Sequence, residues 1–240
     1  LNQKKEDLKH LIFDASGLWM EAVSEQEYTT AGGTIQVSTS IINAGNIPDI
    51  EIDSVSFPGK DTAIFNVLHP NVWEKVSVDV IIPEDAAITQ PYWLIEDHNT
   101  MFKVDDIHLR GLPENPDPYV VTYHINIEGQ SFKYSTPIEY KWRDRVSGEN
   151  IKDLSIRPEL TVNIDNSVYV CPLGKEQEVY VTVVNQKENM TGVLSLDLPN
   201  GWVVSPATHI VTQNTKGSTK VYVFKLKPTE NAKSGEFIAK

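Results

Sequence analysis

The chain of 240 residues has a single cysteine, Cys171. One cysteine provides neither a disulfide framework nor a cysteine-based metal site, so the fold must be stabilised by its hydrophobic core. Cys171 lies in an apolar run at residues 168–172. We interpret it as a buried packing residue rather than a reactive thiol.

Long apolar runs are also missing. No segment approaches the roughly 18 consecutive apolar residues of a membrane-spanning helix, and apolar stretches such as residues 78–82 have the length of a β-strand. The polar N-terminus shows no signal peptide, so we expect either that one was removed or that the chain begins within a longer protein. We predict an extracytoplasmic location, periplasmic or secreted.

Basic residues are scarce in the first part of the chain. Residues 1–153 contain 12 Lys and Arg against 25 Asp and Glu, whereas residues 154–240 contain 9 against 8. Because an acidic surface repels phosphate groups, nucleic acids and anionic membranes are poor partners. The change in charge also favours a domain boundary near residue 153.

One segment has the periodicity of a good helix. Apolar residues recur at spacings of three and four between residues 3 and 24, at Leu8, Leu11, Ile12, Ala15, Leu18, Trp19 and Ala22, which predicts an amphipathic helix. Gly17 weakens its middle by roughly 1 kcal/mol relative to alanine. We assign residues 1–24 to this N-terminal helix, and expect its apolar face to pack on the following β-domain or on a domain outside this chain.

From about residue 27 onward, apolar residues alternate with polar ones, as they do in β-strands. The predicted strands of a first domain, residues 25–150, are 34–41, 51–57, 74–82, 119–127 and 131–142. Residues 143–158 are interpreted as a linker, and a second domain, residues 154–240, has predicted strands at 160–164, 168–171, 178–184, 192–198, 208–212 and 220–226. The pattern predicts an all-β fold of two antiparallel, immunoglobulin-like β-sandwiches, the second of them truncated.

Motifs for catalysis are lacking as well. The sequence contains no glycine-rich phosphate loop, no HExxH and no GxSxG motif. A charged loop at residues 96–108 has residue types that bind zinc, manganese or calcium, namely Glu96, Asp97, His98, Asp105, Asp106 and His108. Because such loops are usually solvated, we predict no catalytic residue, metal or cofactor in this chain. A free-standing metalloenzyme built on this loop remains a rival hypothesis.

Several aromatic residues lie in segments where a β-sandwich requires only alternating apolar and polar residues. Sugar-binding sites on β-sandwiches stack pyranose rings on exposed Trp and Tyr faces, beside polar groups that bond the hydroxyls. Tyr92 and Trp93 are the best pair because they follow Pro91 and precede an acidic loop, and Trp73 is a third carbohydrate-stacking candidate. Packing is the alternative for these residues, and it is our interpretation of Trp19, Trp142 and Trp202.

Four motifs carry a resemblance to a known family. They are ASGLW at 15–19, QPYWL at 90–94, GLPENP at 111–116 and YKWRDRVSGE at 140–149. Over most of residues 8–170, their order resembles the C-terminal region of Bacteroidetes PIG-L/LmbE-like de-N-acetylases. In the second domain, LPNGWVVSP at 198–206 is similar to the immunoglobulin-like module associated with alpha-galactosidases.

The resemblance implies a parent enzyme that uses zinc to remove acetyl groups from N-acetylated amino sugars. The family's catalytic His-Pro-Asp-Asp motif is absent, since the one His-Pro pair, His69–Pro70, is followed by Asn71 and Val72. We therefore expect a non-catalytic accessory region that positions or binds glycan, with the zinc in an upstream catalytic domain packed on the N-terminal helix. The alternative is a purely structural spacer or oligomer contact without a ligand.

Overall fold

The computed structural model describes residues 2–45, 47–48, 50–97 and 100–238. Strands dominate these residues, and one α-helix, α1 (Asn2–Ser16), precedes them. The all-β class predicted from the alternation is confirmed. The chain divides into two compact units, residues 1–157 and 158–240.

The first unit has ten strands among its described residues. They are β1 (Leu18–Ser24), β2 (Tyr28–Thr30), β3 (Thr34–Asn43), β4 (Ile50–Phe57), β5 (Lys60–Val67), β6 (Trp73–Ile81), β7 (Val120–Ile127), β8 (Gln130–Asp144), β9 (Gly148–Asp153) and β10 (Ser155–Arg157). Eight of them form one sheet in the order β5-β4-β7-β8-β1-β3-β6, with β9 paired to β8, and β10 pairs with β2. Neighbours are antiparallel except for β1 with β8 and β10 with β2.

The long strand β8 joins two groups of strands. Residues 130–137 pair with β7, and residues 138–144 pair with β1 or β9. One hydrophobic cluster takes buried side chains from both groups, so the two halves of the sheet share a core. The Tyr123 hydroxyl of β7 crosses this core and donates a hydrogen bond of 2.7 Å to the Glu21 carbonyl of β1.

The predicted helix at residues 3–24, and with it the assignment of residues 1–24, is wrong in its second part. The helix ends at Ser16, Gly17 has a φ of +66°, and β1 occupies the rest of the segment. Glycine is needed at this turn because an added Cβ would lie 2.6 Å from the Gly45 backbone. Every second residue of β1 is buried, which is the period of a strand. The spacings of three and four therefore combined apolar residues of two different elements.

Part of the apolar face of α1 packs on the first unit. Ile12 and Phe13 contact its core cluster, and the Phe13 ring lies 4.8 Å from the ring of Tyr134 on β8. Leu8 and Leu11, in contrast, are 56% and 63% exposed. The helix thus has one packed side and one apolar side that faces solvent.

The predicted linker at residues 143–158 is also wrong, and the first unit extends beyond the predicted range of 25–150. β8 continues to Asp144, β9 forms a hairpin with it, and β10 adds to β2. The observed boundary lies after residue 157 because β10 buries Ile156 in the core of the first unit, where it is 1% exposed.

The second unit has six strands among its described residues. They are β11 (Leu160–Ile164), β12 (Gln177–Asn185), β13 (Met190–Ser195), β14 (Trp202–Ser205), β15 (Thr208–Gln213) and β16 (Thr219–Pro228). A four-stranded sheet has the order β11-β12-β16-β14, and β13 pairs with β15. Buried residues of the larger sheet, such as Val179 and Phe224, pack with Leu194 of β13.

One strand predicted in the second unit is absent from the structure. Residues 168–171 form no strand, and Val168 and Val170 are 76% and 78% exposed. Their alternation imitates a strand, but strand residues need a hydrogen-bonded neighbour. Residues 234–238 form no strand either, and Ala239 and Lys240 lie outside the described residues.

Candidate functional site

The two best sugar-stacking candidates, Tyr92 and Trp93, lie in the long connection between β6 and β7. The described part of this connection has no strand, and its short regular element is a 3₁₀ turn at Tyr92–Leu94, which Pro91 precedes. The two rings meet edge to face, with centroids 4.9 Å apart and planes at 88°. Both side chains are half-buried, so part of each ring is accessible.

A small hydrogen-bond network fixes Tyr92. Its backbone N–H donates to Asn115 Oδ1 at 2.8 Å, and Asn115 Nδ2 donates to the Gln90 carbonyl at 2.6 Å. The Tyr92 hydroxyl donates to the Leu112 carbonyl at 3.0 Å. The motifs at 90–94 and 111–116 are therefore parts of one local structure. Asn115 was not among the predicted site residues, because its sequence context is that of an ordinary turn asparagine.

Tyr92 and Trp93 line an open cavity of about 790 Å³. We call it the loop cavity, and its other lining residues are Met101, Phe102, Lys103, Val104, Asp105, Arg110 and Gly111. Aromatic and aliphatic surface is combined there with a few charged groups, which is the usual composition of a small-molecule site. The volume also lies within the range of such sites, roughly 300–1,000 Å³.

Two cationic side chains, Lys103 and Arg110, line the loop cavity, and they differ in their described contacts. Lys103 pairs with Glu96 and, at 3.6 Å, with Asp105. The hydrogen bond to Glu96 and the charges of Asp105 and Glu96 raise the pKa of the Lys103 ammonium. Arg110 donates from Nε to the Val104 carbonyl at 2.8 Å, and none of the described carboxylates forms an ion pair with it. Lys103 thus has two carboxylate partners, whereas Arg110 has none among the described residues.

The same contacts explain why the charged loop at 96–108 resembled a metal site. Glu96 and Asp105 flank Lys103, and Asp106 accepts a hydrogen bond within its own turn. Within the part of the chain that the structure describes, no group of three or more His, Cys, Asp or Glu could hold a metal ion. His98 of the candidate cluster lies outside that part.

The third candidate, Trp73, is not a lining residue of the loop cavity. It begins β6 opposite Ile42 of β3, which also pairs with Trp19 of β1. The rings of Trp19 and Trp73 meet at 88° with centroids 5.4 Å apart, and the residues are 43% and 49% exposed. The packing prediction for Trp19 was wrong, because the register of β1 turns this residue away from the core.

A half-buried ion pair adjoins Trp19. Lys141 of β8 lies 2.8 Å from Glu21 of β1, and its Nζ is 5.8 Å from the centroid of the Trp19 ring. Burial alone lowers the pKa of Lys141, but the hydrogen bond and charge of Glu21, together with nearby carboxylates, outweigh it and raise the pKa. Trp19 and Trp73 therefore form an exposed aromatic patch of two perpendicular rings on the sheet, beside an ion pair.

The second unit contains an apolar groove of about 690 Å³, lined by residues that include Tyr169, Leu198, Trp202 and Phe237. The Trp202 Nε1 is buried and has no hydrogen-bond partner among the described residues. Cys171 lines the groove and is half-buried rather than fully buried, and burial raises the pKa of its thiol. A raised pKa disfavours the reactive thiolate.

No protein-family model and no curated protein matches this chain. The described residues include no helix that is long and apolar enough to cross a membrane. The resemblance to the de-N-acetylase region therefore stays a prediction.

Proposed function

We propose that this chain is a non-catalytic accessory region that binds glycan for a larger enzyme. The observation that carries the proposal is the loop cavity, where two perpendicular aromatic rings stand beside charged and hydrogen-bonding groups. The apolar face of a pyranose stacks on an aromatic ring, and its hydroxyls need polar partners at the rim. The loop cavity supplies both kinds of contact.

The proposed enzyme is a zinc-dependent hydrolase of the PIG-L/LmbE-like type, which would remove acetyl groups from N-acetylated amino sugars outside the cytoplasm. Its zinc would belong to an upstream catalytic domain. Support comes from the order of the four motifs, two of which meet through Tyr92 and Asn115. The exposed Leu8 and Leu11 of α1 offer an apolar surface on which that domain would pack.

In this proposal both units are immunoglobulin-like β-sandwiches. In the first unit, the strands on either side of β8 contribute to one core. In the second, apolar side chains of the four-stranded sheet meet those of the β13–β15 pair. Such sandwiches hold loops on a rigid support, which suits a region that positions a ligand.

The test is isothermal titration calorimetry of the whole chain with a panel of oligosaccharides that includes N-acetylglucosamine oligomers. Tyr92→Ala and Trp93→Ala should each weaken binding by about three- to tenfold, because an aromatic contact contributes roughly 0.5–1.5 kcal/mol. The thermal unfolding midpoint, followed by circular dichroism, should change little.

Trp142→Ala is the matched control, because it removes a half-buried tryptophan of the first unit that does not line the loop cavity and that we interpret as a packing residue. An equal loss of affinity in all three variants would argue against a specific site. Unfolding of the Tyr92 and Trp93 variants would assign both rings to packing. No binding of any sugar at millimolar concentration would favour the spacer or oligomer-contact alternative.

A further inference from the structure

Arg110 is the lining cation of the loop cavity that has no carboxylate partner among the described residues. The other, Lys103, is engaged by Glu96 and Asp105. Arg110 is exposed, and its described contact is with a backbone carbonyl. A guanidinium stays charged throughout the physiological pH range. Since Lys103 has two carboxylate partners for one charge, the four groups have no net charge together, and the positive charge open to a ligand is local to Arg110.

The Arg110 guanidinium is hydrogen-bonded through its Nε. Its Nε donates to the Val104 carbonyl at 2.8 Å, so the terminal nitrogens Nη1 and Nη2 keep their donor capacity for a ligand. The backbone two residues further on is fixed as well, because the Leu112 carbonyl accepts the hydroxyl of Tyr92 at 3.0 Å. The cation and the aromatic wall therefore belong to one connected structure.

A carboxylate is the group that matches this arrangement. The planar guanidinium and a carboxylate form two parallel, charge-assisted hydrogen bonds, which a lysine ammonium does not provide in the same geometry. A hexuronic acid has an apolar ring face for Tyr92 or Trp93 and a carboxylate at the edge of the same ring. It therefore has one group for each of these two kinds of lining residue.

The net negative charge of the chain repels an anionic glycan at long range. Residues 1–153 have a large excess of acidic groups, so an anionic glycan gains nothing from the field of the protein until it reaches Arg110. At an ionic strength of about 0.15 M that field is screened beyond roughly 8 Å, whereas a contact pair is screened much less. The preference for an acidic sugar must then come from contact.

We infer that the loop cavity takes a uronic-acid-containing glycan and that Arg110 binds its carboxylate. The inference rests on the proposed function, since it names the class of glycan for the same cavity. Hydrogen bonds to charged groups contribute about 1.5–3 kcal/mol when sheltered and less at an exposed site. We therefore expect the acid to bind about three- to tenfold more tightly than a neutral sugar of the same shape.

The experiment uses the whole chain and matched ligand pairs. Oligomers of galacturonate, glucuronate and mannuronate are each titrated beside their methyl esters, which differ in the charge and the ester methyl, at about 0.15 M salt. The acid of at least one pair should bind about three- to tenfold more tightly than its ester. Arg110→Gln should bring the acid to the affinity of the ester, and Arg110→Lys should restore only part of the difference. Arg143→Gln, on β8 and away from the cavity lining, should leave the ratio unchanged.

The outcomes separate this inference from the proposed function. If neutral sugars bind and no acid is preferred over its ester, the inference is wrong and the proposed function stands. If neither acids nor neutral sugars bind, the proposed function is wrong too. A sulfated galactose oligomer that binds as tightly as the uronate would show that Arg110 responds to charge alone, which would overturn the carboxylate assignment.

Discussion

The Tyr123 hydroxyl is a buried group whose removal has a predictable cost. Tyr123 is 0% exposed, and its hydroxyl donates to the Glu21 carbonyl at 2.7 Å. Tyr123→Phe removes this bond and keeps the ring. A buried hydrogen bond contributes a net 0.5–1.5 kcal/mol, and losing one partner adds a desolvation penalty, so we expect a loss of about 1–2 kcal/mol of unfolding free energy near pH 8.

The cost of the substitution should disappear at alkaline pH. Burial raises the pKa of Tyr123 far above its usual value, which is about 10 in the unfolded chain. Because the pKa is higher in the folded state than in the unfolded state, the protonated hydroxyl contributes its full stabilisation below about pH 10. At higher pH the unfolded state releases the proton while the folded state keeps it, so the free energy of unfolding decreases. The free energy of unfolding of the parent protein falls by roughly 1.4 kcal/mol by pH 11. The Tyr123→Phe variant has no hydroxyl at this position to titrate, so it does not lose this amount. The variant and the parent protein should then have nearly equal stabilities.

The assay is urea unfolding followed by tryptophan fluorescence near pH 8 and pH 11. Four of the five tryptophans lie in the first unit, so the signal reports mainly on the unit that contains Tyr123. Tyr140→Phe is the control, because Tyr140 is half-exposed and its hydroxyl has no described hydrogen-bond partner. An unchanged stability gap between Tyr123→Phe and the parent at the two pH values would refute the argument.

Two further predictions concern backbone approach and the loop cavity. Gly45→Ala should lower the free energy of unfolding by more than about 3 kcal/mol, because the added Cβ would overlap the Ser16 carbonyl. Gly59→Ala has open space around the added Cβ and should lower it by about 1–2 kcal/mol, through the positive φ of this residue. Similar shifts of the urea midpoint would contradict the close approach at Gly45. Asn115→Ala should weaken sugar binding by about three- to tenfold, because it releases the N–H of Tyr92 and so the position of its ring. Unchanged affinity in calorimetry would show that the ring does not depend on Asn115.

The strands that alternation predicted correctly share a simple environment. β3, β6 and β7 each have one face in the core, so sequence period and burial coincide. Two of the missed strands, β5 and β9, lack that signal. Ala63, Ile64 and Phe65 of β5 are consecutive, and β9 is mostly polar with a single apolar residue, Ile151. Backbone pairing with a neighbouring strand, which no local pattern records, makes both of them strands.

The candidate site could be predicted only in part. Tyr92 and Trp93 are visible in the sequence because aromatic residues after Pro91 interrupt the alternation. Asn115 lies 23 residues after Tyr92, and what joins them is a side-chain to backbone hydrogen bond rather than a periodic pattern. Arg110 lies in the same irregular segment, and its proposed role rests on the absence of a described carboxylate partner, which sequence alone does not show.

The connection between β6 and β7 is itself an argument for binding. Ordered connections longer than about 12–15 residues are uncommon and usually functional, because their conformational entropy must be offset by contacts. Here Ile95, Met101 and Phe102 are more than half exposed, so they add little to the core of the unit. Because β8, β1 and β3 lie between β6 and β7 in the sheet order, the connection has to cross the sheet, but a crossing of roughly 20 Å needs only about six extended residues, fewer than lie between the two strands. A long connection that holds aromatic and charged groups around a cavity is better explained by a ligand that covers them.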